Sequence, residues 1–331
     1  MTANSLTEYA LNLIDRKGKL VLDQACQKIQ QFDYGSDIIN AALKYYAQTT
    51  LSKVLPIFPT LIYLSCYAVG GKPEKTKSLA TAMTLITASG DIHDDIIDRS
   101  THKFSRKTLF GKYGKDIALL AGDALLIQGV TLLNNCDDLS IEQRKTVADL
   151  VAKSTFEMIK AESIETCLWK KQEVKAEEYF NVISLKASVA ELHCRIGGII
   201  GSADTKTIDD IAHYGRIVGL LATMKEEFVD MQNIPELKHR IKYELPPYPV
   251  IYALQDEKLK KQINPIIIKK KPTKNDLQFI ANIVLNSEMV NELKSEMAEL
   301  GLKELGANSM LAENKRGKDA AILLRALATE M

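Results

Sequence analysis

The chain is poor in the residues that stabilise small or cross-linked folds. Its 331 residues hold five cysteines, Cys26, Cys66, Cys136, Cys167 and Cys194, an odd number, widely spaced and without a CxxC pair. That excludes a zinc knuckle and a disulfide frame and predicts reduced thiols. Aromatics are 6% of the residues, with one tryptophan, and the leucine-, alanine-, lysine- and glutamate-rich remainder favours helix over sheet. Charge of neither sign is in excess: 43 Lys plus Arg oppose 42 Asp plus Glu, for a net charge of +1. No bulk attraction to nucleic acid or to an anionic membrane surface follows. The hairpin dipeptides Asn-Gly and Asp-Gly are missing, as is sustained period-two alternation. The longest uncharged run, Leu55 to Gly71, is broken by two prolines and ends in Gly-Gly, short of the ~20 apolar residues of a membrane span. The first residues lack the apolar core of a signal peptide. A cytoplasmic protein without a membrane span is expected. No low-complexity linker or repeat divides the sequence, so residues 1–331 read as a single domain.

What the chain does have is helical periodicity. Apolar residues recur at three- and four-residue spacing in Glu8–Leu22, in Val147–Ile164 and again in Ile208–Met231. Ser140 with Gln143, and Thr273 with Asp276, have the spacing of capping boxes. Breaks fall at Gly70-Gly71-Lys72-Pro73, at Gly111 to Gly114, and at Pro246-Pro247-Tyr248-Pro249. The stretch Asn264 to Lys274 reads as an irregular connector. With a hydrophobic share of 46%, the pattern predicts an all-α fold of about a dozen helices.

Two acidic clusters stand out. Asp91-Ile92-His93-Asp94-Asp95-Ile96-Ile97-Asp98 closes a polar-poor helix that begins near Ser78. Asp94 and Asp98 are four apart and share a helix face. Several aspartates in two turns of an otherwise apolar helix need cations, and oxygen donors at one or two carboxylates per ion suit Mg²⁺ that also holds phosphate. A solvated acidic helix end is the alternative. The second cluster, Glu226-Glu227-Phe228-Val229-Asp230, repeats the acid-acid-x-x-acid spacing. Two such walls facing each other across a helical bundle could hold a diphosphate bridged by Mg²⁺.

His93-Asp94-Asp95-Ile96-Ile97-Asp98 resembles the first aspartate-rich motif, DDxxD, of the trans-isoprenyl (polyprenyl) diphosphate synthases. The resemblance extends in order and spacing from about residue 50 to 255. Tyr113-Gly114, the helix Lys115 to Leu126, Lys186-Ala187, the Gly219-to-Asp230 segment and Pro249 to Leu254 each match a family segment. The resemblance implies an isoprenoid-synthase-type helical bundle with a central cavity, usually dimeric. It implies a Mg²⁺-dependent prenyltransferase that joins an allylic prenyl diphosphate to isopentenyl diphosphate. On this mapping Asp94 and Asp98 are metal ligands with Asp95 in support, Glu226 and Asp230 hold a further ion, and Lys186 pairs with the diphosphate. Asp94, Asp95, Asp98 and Lys186 thus form the catalytic set.

The departures fall on one side of the mapped site. The family's GKRLRP becomes Val54 to Pro59, with Lys53 the only cation nearby. Its histidine seven positions before the first motif becomes Thr87, and its Arg-Arg-Gly becomes Lys103-Phe104-Ser105. These are the groups with which the family grips isopentenyl diphosphate. Arg99, Lys103, Arg106, Lys107 and Lys112 follow the first motif and are candidate replacements, Arg99, Lys103 and Arg106 foremost; an ordinary solvated loop is the alternative. Two other readings stay open: a non-catalytic or regulatory subunit of a heteromeric synthase, and an isopentenyl-independent, terpene-cyclase-like user of allylic diphosphates. The second motif lacks the cyclase pattern (N/D)DxxSxxxE. As partner, a second copy or a related subunit is expected. Ser89 and Gly90 stand where the family sets product length with bulky residues. Being small, they imply a channel open toward Ile86 and Met83, and a product of C20 or longer. Asp91 is expected to form a local ion pair, or else to contact metal-bound water or Arg99. Glu162 and Glu165 either face the cavity or lie on the surface. His193-Cys194 and the Gly197-Gly198-Gly201 group read as packing elements.

Overall fold

The computed structural model describes residues 3–103, 105–308 and 315–330, the side chains of Ala3 and Asn4 excepted. Sixteen α-helices appear among them: α1 (Ala3–Gln31), α2 (Asp37–Thr49), α3 (Ile57–Ala68), α4 (Lys77–Ile97), α5 (Leu109–Tyr113), α6 (Lys115–Asn134), α7 (Ile141–Leu168), α8 (Ala176–Lys186), α9 (Ser188–Ile200), α10 (Thr205–Gln232), α11 (Ile234–Tyr243), α12 (Tyr248–Ala253), α13 (Glu257–Ile267), α14 (Lys274–Leu285), α15 (Glu288–Ala307) and α16 (Lys318–Thr329). The excess over a dozen comes from short pieces such as α5 and α12, which are too brief to show periodicity.

Both capping boxes form. Ser140 Oγ accepts from Gln143 N while the Gln143 side chain accepts from Ser140 N, and Thr273 and Asp276 do the same. Each cap is worth ~1 kcal/mol at its helix start. The expected connector 264–274 is shorter than foreseen. Helix α13 runs through Pro265 to Ile267, and residues 268–273 alone link it to α14. His102–Lys103 and Arg106–Lys107 form an antiparallel hairpin, β1 and β2, that the sequence did not announce. Ser105 supplies the left-handed turn residue, φ 60°, in place of glycine.

Three apolar clusters hold the helices together, and α1 contributes to all of them. Its first half packs with α8, α10 and α12 to α16, its second half with α2, α5 and α6, and Val21 with α3, α7 and α9. Helix α4 lies between the last two clusters and packs tightly on α6. A Cβ at Gly129 would stand 2.7 Å from Ile86 Cγ1 and 3.0 Å from the Ala82 carbonyl oxygen, so glycine permits this close approach. Gly197 does the same for α9 on α3, where a Cβ would be 2.6 Å from the Ile62 carbonyl oxygen. His193 and Cys194 are buried in this packing. The five cysteines are unpaired.

The 55–71 run is not a continuous apolar rod: α3 starts at Ile57, bent by 59° from the preceding helical segment. Among the described residues α6 is the one single helix long and apolar enough to cross a membrane, and 39% of its apolar window is buried inside the protein. Its outward face carries Leu119, Leu120, Ile127 and Val130.

Candidate active site

The apolar positions of α4 sit in the core, leaving one flank to the acidic residues. At about 100° per residue, Gly90, Asp91, Asp94 and Asp98 lie within about 60° of one another's mean direction. Burial pushes the Asp94 carboxyl up, against the pull of Lys186 and Lys103. Burial, then Asp94 and Glu244, raise Asp98 to about 9, and burial raises Asp95 to about 7. Such shifts mark carboxylates short of positive charge.

Lys186, at the end of α8, faces this wall. Its ammonium lies 2.9 Å from Glu162 and 2.6 Å from Glu165, both on α7. These two acids are therefore largely buried partners of Lys186, not solvated surface glutamates. Burial opposes the charge of Lys186, but Glu165, Glu162 and Asp94 outweigh it and hold the ammonium well above its ordinary value. Burial also lifts Glu162 to about 7.

The second wall comes from α10. Glu226 is exposed along this wall, yet the protein packed around it, then Asp230 and Glu227, raise it to about 7, with Lys103 and Lys186 acting against the shift. Glu226 is thus within electrostatic reach of Lys103 and Lys186. Glu227 turns the other way. It accepts from Tyr179 Oη at 2.9 Å, from the Tyr248 backbone N at 2.6 Å and from Arg240 Nη2 at 3.2 Å. Arg240, on α11, also binds Asp230 at 2.7 Å and Glu244 at 3.0 Å. Asp230 therefore offers a metal only part of its carboxylate, and burial still raises it to about 6. Arg240 was invisible in the sequence, since the run Lys238 to Lys242 reads as a solvated basic face; only its burial sets it apart.

The loop cations separate. Lys103 reaches from β1 into the site, donating to Asp91 and standing 3.9 Å from Asp95. It is thus the ion-pair partner of Asp91, a role the sequence also left open to Arg99. Tyr46 on α2 donates to the other Asp91 oxygen at 2.9 Å. Arg99 points instead to the rings of Trp169 and Tyr243, 5.9 Å from each centroid. Lys112 lies over the Tyr45 ring at 3.6 Å, and Arg106 and Lys107 are exposed on β2. Of the expected diphosphate ligands in this loop, only Lys103 is brought among the carboxylates; the others are parked on aromatic rings or solvated. Thr87 donates to its own helix, at Met83 and Thr84. Phe104 lies outside the described residues.

The chain-length pair also divides. Gly90 shares the Asp94 flank, and nothing lies within 4 Å of a Cβ built there. Ser89 is turned about 140° from Asp94 and is 2% exposed. Its side chain leaves α4 on a different face from that of Gly90. Ile86 packs against Gly129 of α6, and Met83 is buried.

Carboxylates far outnumber the cations Lys103, Lys186 and Arg240. Among the described residues no three His, Cys, Asp or Glu side chains converge closely enough to hold an ion alone. An all-oxygen donor set of paired carboxylates nonetheless fits Mg²⁺, which retains water and completes its shell with phosphate oxygens.

A helical bundle with two acidic walls and a lysine between them places the chain among the isoprenoid-synthase folds. The structure superposes on geranylgeranyl pyrophosphate synthetase from Pyrococcus horikoshii with a TM-score of 0.83 at 22% identity, covering 97% of this chain and 98% of that one. The polyprenyl synthetase profile matches residues 37–284, and the chain belongs to that family. It is 25% identical to (2E,6E)-farnesyl diphosphate synthase of Mycobacterium tuberculosis over 55% of this chain and 50% of that protein. It is 28% identical to the short chain isoprenyl diphosphate synthase of Methanothermobacter thermautotrophicus over 54% of this chain and 55% of that protein. The chain spans about half the length of these curated relatives.

Proposed function

We propose that the chain is a Mg²⁺-dependent prenyltransferase that joins an allylic prenyl diphosphate to isopentenyl diphosphate. The observation that carries this reading is the placement of Lys186 against the α4 carboxylates with Glu226 opposite. Asp94 and Asp98 would hold ions on one side of the diphosphate, Glu226 and Asp230 on the other. Bound Mg²⁺ supplies neutralisation of the charge that develops on the leaving group. Lys186 donates to the same oxygens. The allylic C–O bond breaks with its electron pair on the departing diphosphate. The double-bond electrons of isopentenyl diphosphate form the new C–C bond, and a proton leaves the adjacent carbon. The apolar flank beyond Gly90 keeps water from the cation. Glu162, beside Lys186, adds negative charge near it.

One observation favours a second reading. Lys103 is already neutralised by Asp91, and residues 54–59 carry no cation, so the isopentenyl side is weakly charged. A non-catalytic subunit that binds the allylic substrate would have this form. A product assay separates the two. Purified protein with Mg²⁺ receives geranyl or farnesyl diphosphate with and without isopentenyl diphosphate. Longer prenyl diphosphates formed only with isopentenyl diphosphate support the synthase; a folded but inactive protein supports the subunit.

The open flank at Gly90 supports products of C20 or longer. Gly90→Phe is expected to shorten them, read by chromatography of the dephosphorylated alcohols. Unchanged length would sink this placement of the channel.

A further inference from the structure

Arg99 directly follows Asp98 and has φ 58°. The backbone N of Ser100 bonds to the Asp95 carbonyl at 2.9 Å and that of Arg99 to Ile96 at 3.4 Å. This is the Schellman closure of α4, with arginine where helices favour glycine. A side chain kept at a position that disfavours one points to a use for it. The left-handed backbone aims the guanidinium at Trp169 and Tyr243, 5.9 Å from each ring centroid and within cation–π range.

The three residues come from three elements that border the acidic site. Trp169 ends α7, its N bonded to the carbonyl of Glu165, which pairs with Lys186. Tyr243 ends α11 and precedes Glu244, which binds Arg240. His239 of α11 reaches the Asp98 carbonyl at 2.9 Å. Arg99 is exposed and Trp169 is 37% exposed, so the cluster lies on the solvent side of the carboxylates. Its guanidinium has no ion pair among these contacts, and its ring contacts are long and weak. A planar fork of N–H donors one residue from Asp98 matches the outer oxygens of a diphosphate.

We propose that Arg99 is a rim clasp, a guanidinium parked between Trp169 and Tyr243 that transfers to a Mg²⁺-bridged diphosphate and closes the mouth between the two acidic walls. This rests on the reading of the site as a diphosphate site. Trp169 is the chain's single tryptophan, so its emission reports the clasp directly. The full-length protein with Mg²⁺ is titrated with inorganic pyrophosphate, following emission and, in parallel, heat of binding. The wild type is expected to show a saturable emission change. Arg99→Gly, which restores the favoured residue at the helix end and stays folded, is expected to bind pyrophosphate about tenfold or more weakly, the scale of one charge-assisted hydrogen bond. Its ligand-free emission should already match that of the bound wild type. Equal affinity and an equal emission response in Arg99→Gly would overturn the clasp while leaving the diphosphate site standing. Isopentenyl diphosphate giving the same response without Mg²⁺ would also overturn it. No heat of pyrophosphate binding in the wild type would remove the functional reading itself, and the clasp with it.

Discussion

Arg240 decides whether the second wall can exist. It is 6% exposed and bonded to Glu227, Asp230, Glu244, Tyr179 and the Leu245 carbonyl. Removing one partner of a buried pair leaves uncompensated charge, at a cost of about 3–5 kcal/mol. Arg240→Met is expected to lower unfolding free energy in urea by that amount, and Glu227→Gln added to it should recover part of the loss. A variant as stable as the wild type would show that the network does not hold the wall. At this scale the sequence was half legible. The pairing of Asp94 with Asp98 and of Glu226 with Asp230 was legible because i, i+4 spacing translates directly into a shared face; Lys186 was pointed to by the family resemblance alone. Arg240, Tyr46 and Tyr179 were not legible, since the acids that give them their roles, Asp230, Asp91 and Glu227, lie 10, 45 and 48 residues away and no local pattern encodes such contacts. Ser89 and Gly90, adjacent in sequence, are about 100° apart on the helix, a separation that matching by position alone does not show.

Among the elements, α4 and its C-cap bring Asp91, Asp94, Asp95 and Asp98 into two turns. Its Asp95 and Asp98 titrate near 7 and 9, and Glu226 opposite near 7, all above the ~4 of unfolded carboxylates. Groups raised on folding favour the protonated folded chain. Their contribution is complete below about pH 4 and is lost as pH rises through the folded values. The metal-free protein is therefore expected to melt at progressively lower temperature between about pH 5 and pH 9, measured by circular dichroism. Mg²⁺ with pyrophosphate should flatten the slope by compensating the ionised acids. A melting temperature that rises over this window without metal would contradict the arrangement. Helix starts were legible at Ser140 and Thr273, where both halves of a capping box lie within four residues. The β1–β2 hairpin was not, because it is too short for alternation and turns on Ser105 without glycine.

On the scale of the whole molecule, α6 packs one face on α4 and presents Leu119, Leu120, Ile127 and Val130 outward, with Phe156 and Ile159 exposed on α7. An exposed apolar face of this kind is a candidate association surface, and a second copy or a related subunit is the proposed occupant. Leu120→Glu with Ile127→Glu is expected to halve the sedimenting mass of the protein; an unchanged mass would place the contact elsewhere or show a monomer. In the proposed synthase the same bundle geometry sets the two acidic walls face to face. The most direct measurement is the rate of prenyl diphosphate elongation with Mg²⁺, wild type against Asp98→Asn. A product is expected from the wild type and a loss of two orders of magnitude or more in the variant, the scale for removing one preorganised electrostatic group. Equal rates in the two proteins, or no product from a folded wild type, would contradict the proposal.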